Sequence, residues 1–262
     1  MRRATWRPPS VWPRPWMGSA VWAAAAAFLV WNAISLEINP ERIARGLSRL
    51  GVVTARAVPP DFHRVGLLAS GVLESVEIAS LSTLFGVLLG IPVAVLAARN
   101  VVILPLYATG RGVITLGRTF HELIVAIVFV KAVGFGPLAG VLTLTVNSVG
   151  FFSKLLAEQI ETIDRGQIEA IRATGASRGA VLVFGVLPQV LPRIIGLTIY
   201  QWDIHLRQST IIGIVGAGGI GATLYNAFAR YDYDFALAIL LVIVAIVLVG
   251  EGVSALARRR AQ

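Results

Sequence analysis

The sequence contains no cysteine, which excludes disulfides, thiolate metal sites and cysteine nucleophiles. Charge is also scarce: Asp, Glu, Lys and Arg make up 14% of the residues, against roughly a quarter in a soluble domain. The histidines, His63, His121 and His205, are scattered and no clustered Asp pattern accompanies them. An intramembrane hydrolase or transferase would need a nucleophile with its base, or paired metal-binding acids, and the sequence offers neither. No G-x-x-x-x-G-K-[ST] phosphate loop occurs, so these residues do not form an ATPase of that kind. No repeat of fixed period is visible, which sets solenoids and arrays aside.

What fills the chain instead is apolar. Hydrophobic residues account for 56% of it and the mean hydropathy is +0.77, the composition of an all-α membrane protein. The net charge of +9 is carried almost wholly by Arg. Because the charges flank apolar runs, they point to membrane topology and anionic headgroups, and not to nucleic acid.

Taken in order, residues 1–16 form a Pro-, Trp- and Arg-rich cytoplasmic tail that predicts no regular helix and suits a membrane interface. Met17 to Leu36 is long enough to span. SLEINPER after it offers no small-residue cleavage site, which favours a signal anchor over a removed signal. Within 37–64, Ile43, Leu47 and Leu50 line one side of a basic helix, so this segment is expected to lie along the outer membrane surface and to end at Pro59-Pro60. Further spans are expected at Gly71–Ala98, Gly112–Val133, Leu138–Leu156, Ile194–Val215 and Phe235–Leu256. The apolar piece before Thr109 is too brief to count. Six spans put both termini inside, with 257–262 as a basic cytoplasmic tail. Arg42, Arg45, Arg49, Arg56 and Arg64 then fall outside, against the positive-inside rule. Arg99, Lys154, Arg165, Arg172, Arg178 and Arg258–Arg260 all fall inside and favour the assignment.

Ionisable residues inside spans are expensive and point to function. Arg118, His121, Glu122 and Lys131 interrupt the third span, and Arg118 and Glu122 are expected on one helical face, four apart. Asp203, His205 and Arg207 interrupt the fifth, with Asp203 and Arg207 again four apart. Such pairs can neutralise each other and lock helices together, or line a polar path. In the second case Arg207 is the natural partner of an anion, since guanidinium matches phosphoryl oxygens bidentately. Gly216, Gly218, Gly219 and Gly221 satisfy G-x-G-x-x-G, but a dinucleotide fold needs a βαβ unit and a ribose-binding acid, and a membrane span follows instead. Repeated glycine here reads as close backbone packing or a broken helix bordering a cavity.

The polar stretch Glu158–Pro192 stands apart from all this. Gln167–Ala173 reads as a short helix with Ile168 and Ile171 on one face. Gly175 ends it, and Pro188 and Pro192 lead into the next apolar run. Glu169-Ala170, Gly175 and Leu187-Pro188, in register, resemble the EAA signature of permease subunits of binding-protein-dependent ABC importers. Ile171 stands where alanine is common in that family, and Gly185 where isoleucine is common. KAVGFGPLAGV at 131–141, ATGASRGAVLVFGVLPQVLP at 173–192 and YQWDIHLRQSTIIGIVGAGGIG at 200–221 resemble more narrowly the phosphonate/phosphite/phosphate branch. Asp203 replaces the usual Glu of that branch, and His121 an often-found Pro. The resemblance covers roughly residues 70–256.

It implies a type I importer, MetI-like permease fold in a bacterial inner membrane, with a transmembrane domain over 71–256 and a cytoplasmic coupling helix near 166–176. Glu169, Ala170, Ile171, Thr174, Gly175 and Ala176 would meet a cytoplasmic ATPase. Arg118, Glu122, Asp203, Arg207 and Gln208 would line the substrate pathway, and the four glycines would form a gating turn. The chain would be no enzyme and bind no cofactor or metal of its own, ATP and Mg²⁺ belonging to the ATPase. Its partners would be a second copy of itself, the ATPase dimer, an extracytoplasmic solute-binding protein and membrane lipid. The cargo would be a phosphorus oxyanion moved by alternating access. A permease for another small solute such as methionine, or a stand-alone secondary transporter, remains open on the residues alone.

Overall fold

The computed structural model describes residues 14–36 and 39–261, without the side chains of 15, 178 and 258–261. The tail up to residue 13, Glu37 and the side chains of Arg178 and Arg258–Arg260 therefore lie outside the described residues. Every regular element among those described is helical. The chain forms two units, residues 1–55 and 56–262.

In the first unit, α1 (Pro15–Ser35) carries the apolar run, and none of its described residues is buried. The helix already includes Pro15 and Trp16, two residues assigned to the irregular tail from the sequence. A proline at the first turn sacrifices only an N–H that has no intrahelical partner, which is why the helix can open there. The helix α2 (Pro40–Ala57) starts where Asn39 Oδ1 accepts the Glu41 N–H at 2.8 Å. Ile43, Leu47 and Leu50 share an exposed apolar stripe, as the periodicity predicts.

The second unit is built on α3 (Val65–Leu96) and α6 (Pro137–Glu161), the pair in most extensive contact. Ser82, Gly86, Gly90 and Ala94 recur every four residues along α3 and are all buried. Facing them, α6 presents Ser148 and Ser153. Ser82 Oγ donates to Val141 O at 3.3 Å and Ser153 Oγ to Gly90 O at 2.9 Å. A Cβ added at Gly86 would stand 2.2 Å from Ser148 Oγ. Small residues let helix backbones approach, and this seam uses them in the way membrane helices do.

Between the two lie α4 (Leu104–Thr119) and α5 (Glu122–Val133). The sequence predicts one span from Gly112 to Val133; the structure has two helices meeting at 86°. Phe120 and His121 adopt extended backbone, and His121 Nδ1 accepts the Leu123 N–H at 3.3 Å, capping the second helix. The expected helical face shared by Arg118 and Glu122 is therefore corrected: the break separates them. The apolar piece before Thr109 is the first part of α4.

After α6 come α7 (Arg165–Ala173), the one-turn α8 (Arg178–Ala180), a π-helical stretch at Val181–Val186, and α9 (Leu187–Gly213). The fifth span thus starts before Ile194, with Pro188 in its first turn and Pro192 inside it. The glycine turn leads to a further helix, α10 (Ile220–Ala229), and α11 (Tyr233–Ala261) completes the unit. Five described helices are long and apolar enough to cross a membrane, six if the bent pair counts as one span. Arg64 pairs with Asp232 and lies 4.6 Å over the Phe235 ring, fastening the start of α3 to the start of α11.

The packing of α4 on α6 makes a direct prediction. A Cβ at Gly150 would come 2.9 Å from the Gly117 carbonyl carbon, whereas one at Gly112 meets nothing within 4 Å. Gly150→Ala should lower stability by about 1–3 kcal/mol through overpacking. Gly112→Ala, in the same helix as Gly117, should be neutral or stabilising by up to ~1 kcal/mol. Thermal unfolding of the two variants in one detergent checks the contrast.

Candidate functional site

Three groups of residues carry the chemistry. The first is the short helix α7. Asp164 caps it, accepting the Gly166 N–H at 2.8 Å. Gly175 stops it at φ +77°, a left-handed conformation that costs glycine least. Glu169, Ala170, Thr174 and Gly175 are exposed, while Ile168, Ile171 and Ala176 are half-buried toward the body of the unit. The expected apolar face points inward and leaves the polar face to solvent. Gln189, near the start of α9, ties this helix down. Its Oε1 accepts the Asp164 N–H at 2.9 Å, and its Nε2 donates to Gly185 O at 2.7 Å.

The second group lies on α9. Asp203 and Arg207 form the ion pair that their spacing predicts, at 2.6 Å. The carboxylate is buried, but the guanidinium side chain is 43% exposed, so most of its N–H donors remain open. One residue further, Gln208 donates from Nε2 to Glu122 at the start of α5, while its buried Oε1 has no partner. Asp203, Arg207, Gln208 and Glu122 thus come together across two helices, and Arg118 does not join them. It lines a separate cavity of about 340 Å³ with Arg111, Thr115 and Lys154.

On the other side of α9, Gln201, His205 and Thr83 form a buried chain. Thr83 Oγ1 donates to Ala79 O at 2.7 Å, so it accepts from His205 Nδ1 at 2.8 Å. His205 Nε2 then accepts from Gln201 Nε2 at 2.9 Å. This fixes a neutral imidazole with the proton on Nδ1 and leaves no nitrogen of the ring unpaired. The sequence marked His205 only as an interruption. The signal for this chain was the four-residue step from Gln201 to His205, which puts both on one face.

The third group is the glycine turn. Gly216, Gly218 and Gly219 all have positive φ. The Gly136 N–H donates to Gly216 O at 3.0 Å, and the Ile220 N–H to Ser75 Oγ at 2.9 Å. A Cβ at Gly221 would lie 1.8 Å from Thr210 O. The turn therefore joins the α5–α6 turn, α9 and α10 by direct backbone contact and α3 through the Ser75 hydroxyl, and it borders a cavity of about 650 Å³ that also includes Glu74 and Phe135. Among the described residues no group of three or more Asp, Glu or His could hold a metal ion.

Residues 86–262 match the model of the binding-protein-dependent transport system inner membrane component family. The chain belongs to that family. As an inner membrane component it is similar to the phosphite transport system permease protein PtxC of Stutzerimonas stutzeri, 38% identical over 75% of this chain and 72% of that one. It is also similar to the phosphate-import permease protein PhnE of Mycolicibacterium smegmatis, 40% identical over 82% of this chain, which spans only 40% of PhnE. A chain of the inward-facing MetNI methionine ABC transporter superposes with a TM-score of 0.68 at 26% identity, covering 77% of this chain and 99% of its own. The all-α, MetI-like type I importer fold follows from these likenesses.

The two departures of this inner membrane component from the EAA pattern turn out to be one contact. A Cβ at Gly185 would sit 3.2 Å from Ile171 Cδ1 and 3.7 Å from Ile168 Cα. The larger residue at 171 fills the space that the smaller one at 185 leaves. Gly185→Ile should therefore cost about 1–3 kcal/mol by overpacking, and adding Ile171→Ala should restore most of it. A double-mutant cycle from unfolding curves measures the coupling, and additive effects would show the two positions to be independent.

Proposed function

We propose that this chain is the membrane-spanning permease subunit of an ATP-driven importer for a phosphorus oxyanion: phosphonate, phosphite or phosphate. The observation that carries the reading is the likeness, at 38% and 40% identity, to permeases named for phosphite and phosphate import, against 26% for the methionine transporter chain. The half-exposed guanidinium of Arg207 supports it, because open N–H donors suit phosphoryl oxygens.

In this reading two permease copies, each a copy of this chain, stand in a bacterial inner membrane with both termini in the cytoplasm. The α7 end faces the cytoplasm and the glycine turn faces out. An ATPase dimer holds the exposed face of α7 formed by Glu169, Ala170, Thr174 and Gly175, with Ile171 and Ala176 setting its seat. ATP and Mg²⁺ stay on that partner, and a solute-binding protein delivers cargo at the other end. ATP-driven closure of the ATPase moves α7, and Gln189 passes the motion to α9. Arg207, held by Asp203, meets the anion, while Glu122 and Gln208 line the path beside it. The glycine turn closes the outer end, with Gly216, Gly218, Gly219 and Gly221 in backbone contact with its neighbours.

Two measurements test this. Glu169→Lys in proteoliposomes with the ATPase and the loaded binding protein should cut stimulated ATP hydrolysis at least tenfold, with an unchanged melting temperature. Full stimulation would remove α7 from the coupling role. Arg207→Ala alone would leave a buried carboxylate without its cation, at a cost of about 3–5 kcal/mol. The double variant Asp203→Asn/Arg207→Gln avoids that; it should fold, yet take up phosphate and phosphite at least tenfold more slowly. Wild-type uptake by the double variant, or stimulation by methionine alone, would overturn the substrate assignment.

A further inference from the structure

Arg118 lies in the last turn of α4, where Gly117 meets Gly150. Gly150 sits midway along α6, so at 1.5 Å per residue Arg118 is roughly 16–20 Å from either end of that helix. A charge at that depth is costly unless something compensates it, yet Arg118, whose side chain is exposed in the single chain, has no hydrogen bond or ion pair among the described residues. Its cavity holds two further cations. Arg111 is already engaged: it pairs with Glu161 at 3.0 Å, donates to Ala97 O at 3.1 Å and stacks on Tyr107. Lys154 is held more loosely, 3.8 Å from Glu158. Three cations face two carboxylates, and the charge left over is that of Arg118.

We propose that the cavity between α4 and α6 binds a phosphoryl oxyanion, with Arg118 as its bidentate donor and Lys154 swinging from Glu158 to complete it. Arg111 is the positioning residue, fixed by Glu161 at the mouth. The site is separate from the Asp203–Arg207 pair, since the helix break divides Arg118 from Glu122. It takes the anion class from the transport reading and nothing else. The same chemistry is offered by a free phosphorus oxyanion and by the headgroup of an anionic phospholipid. The depth of Arg118 favours the free anion, which makes the cavity a second station on the route.

The test measures binding and not transport. The full chain is placed in phosphatidylcholine nanodiscs without its ATPase, and retention of radiolabelled inorganic phosphate is measured by equilibrium dialysis. In parallel, the chain extracted from phosphatidylglycerol-containing membranes is weighed by native mass spectrometry for retained lipid. All variants are compared in an Asp203→Asn/Arg207→Gln background, which takes the other anion-binding residues out of the readout. There Arg118→Gln and Lys154→Gln should each weaken phosphate binding at least tenfold, and Arg118→Lys should weaken it less. Loss of phosphatidylglycerol, in place of phosphate, from the same two variants would keep the site and assign it a headgroup. If Arg118→Gln does not fold, Lys154→Gln, on the half-exposed side of α6, still decides. Phosphate and phosphatidylglycerol retained equally with and without either substitution in that background would overturn the site, whatever the uptake assays return.

Discussion

Lipid tails are as apolar as leucine, so burying apolar side chains does not by itself hold helices together in a bilayer. What remains is how closely two backbones can come. The Ser82–Gly86–Gly90–Ala94 row on α3, set against Ser148 and Ser153 on α6, is where this chain meets that requirement. The other elements depend on this seam. α4 docks on α6 through a glycine pair, and the glycine turn reaches α3 through Ser75. The short helix α7 follows directly from the end of α6. Loosening the seam would move the site residues without touching any of them.

Much of this was legible in the chain. Apolar runs separated by charged breaks gave the spans, and a polar insert bounded by glycine and proline gave α7. The Asp203–Arg207 pair could be read from its spacing, because α9 is continuous across it. The Arg118–Glu122 spacing looked identical and meant something else, because Phe120 and His121 leave the helix between them. Neither residue is a usual helix breaker, and the polar residues around them read as an interruption within a single span. The one local cue was a residue able to cap, His121, followed by an acid in the next helix's first turn. The interactions that reach between segments, Gln189 to Asp164 and Thr83 to His205, had no sequence signal on the distant partner's side.

α9 divides its labour by face. Gln201 and His205 point one way, into a hydrogen-bonded chain with α3; Asp203 and Arg207 lie on the nearly opposite face, the carboxylate buried and the guanidinium half-exposed. Its first turns are tied to α7 and its last turns to the glycine turn. One helix therefore touches α7, the charged site and the far end of the unit.

The break at Phe120 and His121 carries a consequence for the whole assembly. Both residues are exposed in the single chain, and their extended backbone interrupts the helical ladder, which resumes where the His121 carbonyl accepts the Ile124 N–H at 2.9 Å. Hydrocarbon offers such a backbone no hydrogen bonds, so at membrane depth it survives only against protein or water. The surface carrying the 86° bend therefore cannot be the one that greets lipid. A chain folded this way has an inside that it does not enclose by itself.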